Sequence, residues 1–341
     1  MKKTLISVLI LSLLMFMFAG CAGNSTTGPD ESAQAPGEKE EYTVGILQQM
    51  EHVALDDANQ GFRDELEKLM AEAGKKVNFE NDNANGDSTT MSSIASSLVA
   101  QECDLILAIA TTAATTLKGA NQDAEIPCLF TAVTDPTDPS NQLVDSMDNP
   151  GSYMTGTSDL NPVEQQLELI QMLVPGIQKL GIIYTTGEPN SVTQYELLEQ
   201  NCKNVGIELV ARGINDAADI SAALTAINNE GVEALYLPTD NLLANAAAAV
   251  HNYNKEGAKL PVVCGEEGMN SQCGVATYSI NYYNLGAQTA QMAFDILVNG
   301  EDPATMPVQY YSQASELSVN QAIADELGFT IPEEVLALLE D

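Results

Sequence analysis

Positive charge is scarce in this chain. Against 48 Asp and Glu it sets 13 Lys and Arg, a formal net charge of −35 over 341 residues. A surface this negative repels nucleic acid and anionic lipid headgroups, which argues against both as partners. Only two arginines occur, Arg63 and Arg212, so a bidentate guanidinium clamp on a carboxylate or phosphate is nearly excluded from any site. Tryptophan is absent, and the two histidines, His52 and His251, lie far apart. That leaves few general bases and argues against a His-rich metal site. No GxGxxG, P-loop, GxSxG or HExxH occurs. Phosphate cradling, nucleophilic attack and zinc hydrolysis therefore have little to stand on, and no enzyme, cofactor or metal is expected. There is also no CxxC. Beyond Cys21 the cysteines are Cys103, Cys128, Cys202, Cys264 and Cys273, an odd set inside mostly apolar segments that reads as buried small hydrophobes.

What is present begins with a secretion signal over residues 1–20: Lys2-Lys3, an apolar run from Leu5 to Phe18, then Ala19-Gly20 directly before Cys21. That ending resembles a lipobox, in which Cys21 is acylated. Residues 21–41, rich in Ser, Gly, Pro and Glu, cannot bury apolar surface and read as a flexible tether. The expected location is outside the cytoplasm, anchored to the cell membrane through the N-terminal lipid only.

From Tyr42 onward, short β-branched runs alternate with amphipathic ones. YTVGILQ, VNFEN, DLILAIA and IPCLFTAV are strand-like, with helices predicted between them; after the Asp148–Gly151 loop the cycle repeats through KLGIIY, IELVA, ALYLP and LPVVCG. Such alternation predicts an α/β fold of two Rossmann-like lobes with parallel sheets. The first lobe is expected to comprise 42–156 plus 279–307, and the second 157–278 plus 308–341, with crossings near Thr155–Asp159 and Thr277–Tyr283. Ligands in open α/β sheets bind beyond the C-terminal strand ends, here a shared cleft.

The loops at those ends carry hydroxyls, amides and acids with almost no cations: Glu51-His52, Thr111-Thr112, Thr134-Asp135, Asn190-Ser191, Thr239-Asp240 and Glu266. Taken singly, Thr111, Thr112, Ser191 and Thr239 read as helix caps and Glu51-His52 as a surface turn. Together they suit a zwitterion. Thr111-Thr112 opens a helix whose free N–H groups can hold a carboxylate without arginine, and Asp240 and Glu266 can meet an ammonium group. Tyr278, Tyr282 and Tyr283 near a crossing read as hinge packing.

The runs QQMEHVALDDANQGF (48–62), NANGD (83–87), DLILAIATTAA (104–114), FTAVTDP (130–136), GTSDLNPVEQQLELI (156–170), IIYTTGEPNSVTQ (182–194), LYLPTDN (235–241) and TYSINYYNLGAQT (277–289) resemble the substrate-binding proteins of the tryptophan and tyrosine ABC-transporter group. The resemblance runs in order across nearly all of the chain after the tether. It implies a type I periplasmic-binding-protein fold with three interlobe crossings, closing around an aromatic or related amino acid. It also implies a monomer that works with a separate permease and ATPase. Ligand contacts would come from Glu51, His52, Thr111, Thr112, Thr134, Asp135, Asn190, Ser191, Thr239, Asp240 and Glu266, with the threonines 111, 112 and 134 on the carboxylate and the acids 240 and 266 on the ammonium. The chain departs from the group at Val53 and Thr112, where proline is common. A ligand-sensing or adhesive surface lipoprotein of the same fold is the alternative.

Overall fold

The computed structural model describes residues 39–339. The signal segment 1–20, Cys21 and all but the last residues of the tether lie outside the described residues. Twelve strands and twelve α-helices follow in order: β1 (Glu41–Gln48), α1 (Val53–Glu72), β2 (Lys76–Asn83), α2 (Ser88–Ala100), β3 (Leu105–Ile109), α3 (Thr111–Ala120), β4 (Cys128–Val133), β5 (Met154–Ser158), α4 (Val163–Leu173), β6 (Lys179–Thr185), α5 (Pro189–Val205), β7 (Glu208–Ile214), α6 (Ile220–Asn229), β8 (Ala234–Leu237), α7 (Asn241–Asn245), α8 (Ala247–Glu256), β9 (Val262–Cys264), α9 (Glu267–Cys273), β10 (Ala276–Ser279), α10 (Tyr282–Phe294), β11 (Gln309–Tyr310), β12 (Glu316–Val319), α11 (Gln321–Leu327) and α12 (Glu333–Ala337).

The strands form two six-stranded sheets with the same internal order, β2-β1-β3-β4-β5-β11 and β7-β6-β8-β9-β10-β12. Every pairing is parallel except β10 with β12. Strands covered by helices on both faces need apolar residues on both, which is why LILAI of β3 and CLFTAV of β4 are buried at every position. One apolar cluster lies on each side of each sheet.

The chain changes sheets three times, after β5, after β10 and after β11. Strand pairing fixes the lobe limits more tightly than periodicity does. Thr157 and Ser158 pair with Gln309 and Tyr310 in the first sheet, whereas the sequence reading gives 157–158 and 308–310 to the second lobe. These short edge segments have no alternation of their own, so only their partners assign them.

Helix α10 starts at a crossing and packs along α1. Gly61 and Gly286 permit this contact: a Cβ at Gly61 would lie 2.0 Å from the Tyr283 carbonyl oxygen, and one at Gly286 would lie 2.0 Å from that of Ala58. The two backbones therefore touch. That contact fixes the start of α1 and the first residue of α10, Tyr282, relative to each other.

Candidate functional site

In the second lobe, three loops are organised by their own carboxylates. Asp240 is the N-cap of α7, accepting from Leu243 N at 2.9 Å. It also accepts from Thr185 N at 2.6 Å, Thr185 Oγ1 at 2.9 Å and Ser191 Oγ at 2.6 Å, and so ties the end of β6 and the start of α5 to α7. Glu266 caps α9 through Gly268 N and Met269 N at 2.5 and 2.6 Å. Glu188 adds a third acid, accepting from Leu242 N and Asn241 N at 3.0 Å each. Thr239 is held by Gln194, which contacts both its amide and its hydroxyl.

The first lobe behaves differently. Helix α1 begins behind His52 and α3 behind Ala110, neither with a side-chain cap. First-turn N–H groups have no intrahelical partner; at α3 the amide of Thr112 is met by Gln49 Oε1, while the start of α1 is left without a side-chain cap. Ala110 and Ala132 have positive φ, 83° and 55°, a conformation costly to a residue with a Cβ. At Ala132 the β4–β5 register shifts; a bulge of this kind re-aims a strand end, and here it carries Ala132 into the cavity wall.

Between the lobes lies a small cavity of about 20 Å3 lined by His52, Ala54, Leu55, Ala132, Thr134, Asp159, Asn190, Thr239, Asp240, Asn241, Ala244, Glu266 and Tyr282. That is room for about one water molecule, so a larger guest needs the lobes to part. No lysine or arginine lines it. His52 Nε2 lies 3.0 Å from Asn241 Oδ1 across the gap between lobes, so the two halves are in direct contact.

The cavity gathers His52, Thr134, Asn190, Thr239, Asp240 and Glu266 from the sequence reading. The others stand off it. Glu51 is exposed. Asp135 closes its own turn by accepting from Thr137 N and Oγ1. Ser191 donates to Asp240. Thr111 is buried with an unpartnered hydroxyl, and the amide of Thr112 already donates to Gln49 Oε1 at 3.3 Å. The carboxylate role read for Thr111-Thr112 thus has no cavity-facing group behind it. Helix α1, whose Ala54 and Leu55 line the wall, reaches the space with its start uncapped, as does α5 from the second lobe through Asn190.

Asp159 and Tyr282 are the principal residues that sequence reasoning missed. Asp159 follows β5, is buried, and accepts from Tyr282 Oη at 2.8 Å and Thr134 Oγ1 at 3.1 Å. Neither donor is charged. Burial pushes its carboxyl above the usual range, more than these two hydrogen bonds pull it back. Burial likewise raises Glu266 to about 7 against the pull of its two amides. Burial raises Glu188 to about 7, with the neighbouring Asp240 carboxylate adding to the shift, and burial raises Asp240 too. His52 is pushed down by burial, against the hydrogen bond to Asn241. The wall is thus a neutral imidazole, amides and several desolvated acids without a counter-charge, an arrangement that favours a ligand bearing a cation.

Among the described residues no group of His, Cys, Asp and Glu is placed to hold a metal, and no helix is long and apolar enough to cross a membrane. All five described cysteines are buried and free, with the Cys264 and Cys273 sulfurs 3.7 Å apart.

The family described as ABC transporter substrate binding protein matches residues 43–340. A tyrosine-binding protein of Clostridioides difficile (strain R20291) is 33% identical over 94% of this chain and 91% of its own length. Among solved structures, an ABC domain in complex with L-Trp from Streptococcus pneumonia is 33% identical, with a TM-score of 0.78 over 86% of this chain and 98% of that one. A ligand-free, open substrate-binding protein with adhesive properties from Clostridium difficile is 35% identical, with a TM-score of 0.66 over 85% and 96%. Two sheets of one order, three crossings and an acid-lined cavity between them agree with this match along almost the whole described chain: the protein belongs to the ABC transporter substrate-binding family.

Proposed function

We propose that this protein captures an amino acid, an aromatic one, in the cleft between its lobes and presents it to an ABC permease and its ATPase. The observation that carries the reading is the cavity itself. Desolvated acids without a cation line one part of it, and the uncapped start of α1 forms another. A free amino acid supplies the missing positive charge to the first and a carboxylate to the second. Relatives that bind tyrosine and L-Trp support an aromatic side chain, which here would rest on Tyr282, Leu55, Ala132 and Ala244.

In this reading the ligand favours closure because it touches both lobes at once, a differential contact that the open state lacks. The His52–Asn241 contact and the higher TM-score to the L-Trp complex than to the open relative support a closed arrangement here. Secretion, acylation at Cys21 and a tethered monomer complete the reading. Signal-free protein, unfolded and refolded to remove carried-over ligand, is to be titrated calorimetrically with tryptophan, tyrosine, phenylalanine and leucine. Binding of an aromatic member supports the assignment, and silence for all four removes it. The adhesive relative at 35% identity favours a second reading, attachment to host surfaces, which would persist in a protein with a ligand-dead cleft.

A further inference from the structure

Glu188 is buried in the second lobe beside the cleft, outside the cavity wall. Its Oε2 accepts from the side-chain amides of Asn190 at 3.1 Å and Asn241 at 2.6 Å, and the main-chain N–H groups of Asn241 and Leu242 complete four donors. An asparagine amide has two faces, one donating and one accepting, and its orientation follows from its partners. The Asn241 NH2 turns to Glu188 and the Asn190 NH2 to both Glu188 and the Thr239 carbonyl oxygen, 2.8 Å away, so both side-chain carbonyl oxygens face the other way. Asn190 Oδ1 is left buried with no partner in a residue of the cavity wall. Asn241 Oδ1 meets His52 Nε2 across the cleft.

An amide oxygen can only accept, so His52 must carry its proton on Nε2 and keep Nδ1 as a lone pair. Nδ1 is buried without a partner, again in a wall residue. The His52 acceptor therefore traces back to Glu188 through Asn241, and the Asn190 acceptor to Glu188 together with the Thr239 carbonyl. With a different orientation of either amide, the same residues would offer N–H groups and repel an ammonium ion.

We propose that Glu188 is a positioning residue that orients Asn241, shares the orientation of Asn190 with the Thr239 carbonyl, and through Asn241 sets the tautomer of His52, so that the cleft presents hydrogen-bond acceptors to the amine end of its ligand. This rests on the amino-acid reading for the ligand, but the tautomer can be read without any ligand. The four N–H donors call for the ionised carboxylate, which prevails above the value of about 7 to which burial and Asp240 raise Glu188.

The test is nitrogen-15 NMR of the imidazoles in ligand-free protein at about pH 8, where histidine is neutral. Only two histidines exist, and H251Q assigns them. The wild type should show His52 protonated on Nε2 alone. Glu188→Ala removes the acceptor, so Asn241 can turn its NH2 towards His52; the proton should move to Nδ1 or divide between the two nitrogens. Affinity for tyrosine and tryptophan should fall by at least about tenfold, the order of one lost hydrogen bond to a charged group. An unchanged Nε2–H tautomer in E188A overturns the proposal, whatever happens to affinity. If E188A does not fold, Asn241→Ala serves the same purpose: loss of the Nε2–H preference supports the relay, and its retention overturns it. If the wild type binds none of the amino acids while the tautomer responds as described, the ligand assignment fails and the positioning role stands.

Discussion

Around the cleft, helix N-termini at strand ends are met in two ways, and the starts of α7 and α9 contrast most with that of α1, while α5 of the second lobe has no side-chain cap either. In the second lobe α7 and α9 are capped by Asp240 and Glu266, and Glu188 supplies a further carboxylate to the start of α7. In the first, α1 and α3 start without a side-chain cap, behind a histidine and a positive-φ alanine. A capped N-terminus has spent its donors on its own chain and places a carboxylate at the surface of the site. An uncapped one keeps its donors for something else. With no arginine or lysine in the wall, the carboxylate caps of α7 and α9 make one part of the cleft negative, and the uncapped start of α1 faces it as a positive end. Asp159, at the crossing between the lobes, belongs to the negative side although its donors, Tyr282 and Thr134, come from the first lobe's end of the chain.

The comparison can be broken most forcefully at Asp240. It accepts four hydrogen bonds from three separate segments, so Asp240→Ala should cost about 3–5 kcal/mol in urea unfolding, the range for leaving a buried polar network uncompensated, and should abolish binding. A loss below about 1 kcal/mol would show that the acid does not organise the second lobe.

Asp159→Asn separates function from stability. Its carboxyl is raised by burial. A carboxyl whose folded pKa lies above its unfolded one costs stability wherever the folded group is ionised, and the uncharged amide removes that cost. The ligand-free variant should therefore melt higher than the wild type near pH 8, while amino-acid affinity drops by about 2–5 kcal/mol, the cost of truncating a buried charged pair. Lower melting together with unchanged affinity would assign Asp159 to the fold alone.

The pH dependence sharpens the negative side. Glu188 and Glu266 stand at about 7 in the folded protein, above the ordinary value of about 4.3. The stability they confer is thus greatest at low pH and is lost as pH rises through 7. Ligand-free protein should melt lower at pH 8 than at pH 6.5. Below that, His52, whose pKa burial lowers, opposes the trend, since its buried neutral form resists protonation. Ammonium binding needs the ionised acids, so affinity should fall as pH drops from 8 towards 6, by at most about tenfold per unit for each group concerned, with proton release on binding in calorimetry. A flat profile would mean that none of these acids meets the ligand's charge.

The smallest effect belongs to the positive side. Thr111→Val removes a buried hydroxyl that has no partner and does not line the cavity, so affinity should stay within about twofold and stability should change by less than about 1 kcal/mol. A large loss of affinity would return the carboxylate to α3.

Much of this was legible in the sequence because period and position are local properties. The repeated strand–helix cycle, the shared cleft and six of its wall residues follow from apolar runs and the polar residues after them. Asp159 was not legible: Ser158-Asp159-Leu160 has no helix-cap spacing and follows a strand recognisable only by its pairing with β4 and β11. Glu188 and Asn241 sit within loops that were singled out, but their roles depend on contacts across 53 positions of chain. Tyr282 was read as hinge packing; it packs there and also lines the cavity. The break at Ala246 between α7 and α8 was not legible either, because it falls inside an alanine-rich run that carries no Gly or Pro to mark it.

The central claim, that one side of the cleft reads the amine and the other the carboxylate, is tested most directly by trimming the ligand. Affinities of an aromatic amino acid, its deaminated arylpropionate and its decarboxylated arylethylamine should be measured side by side on the stripped protein. The arylpropionate should lose the most, because it leaves Asp159 and Glu266 without a cation and adds a third negative charge, while the arylethylamine retains measurable binding. Arylpropionate binding as tight as that of the parent amino acid would contradict it.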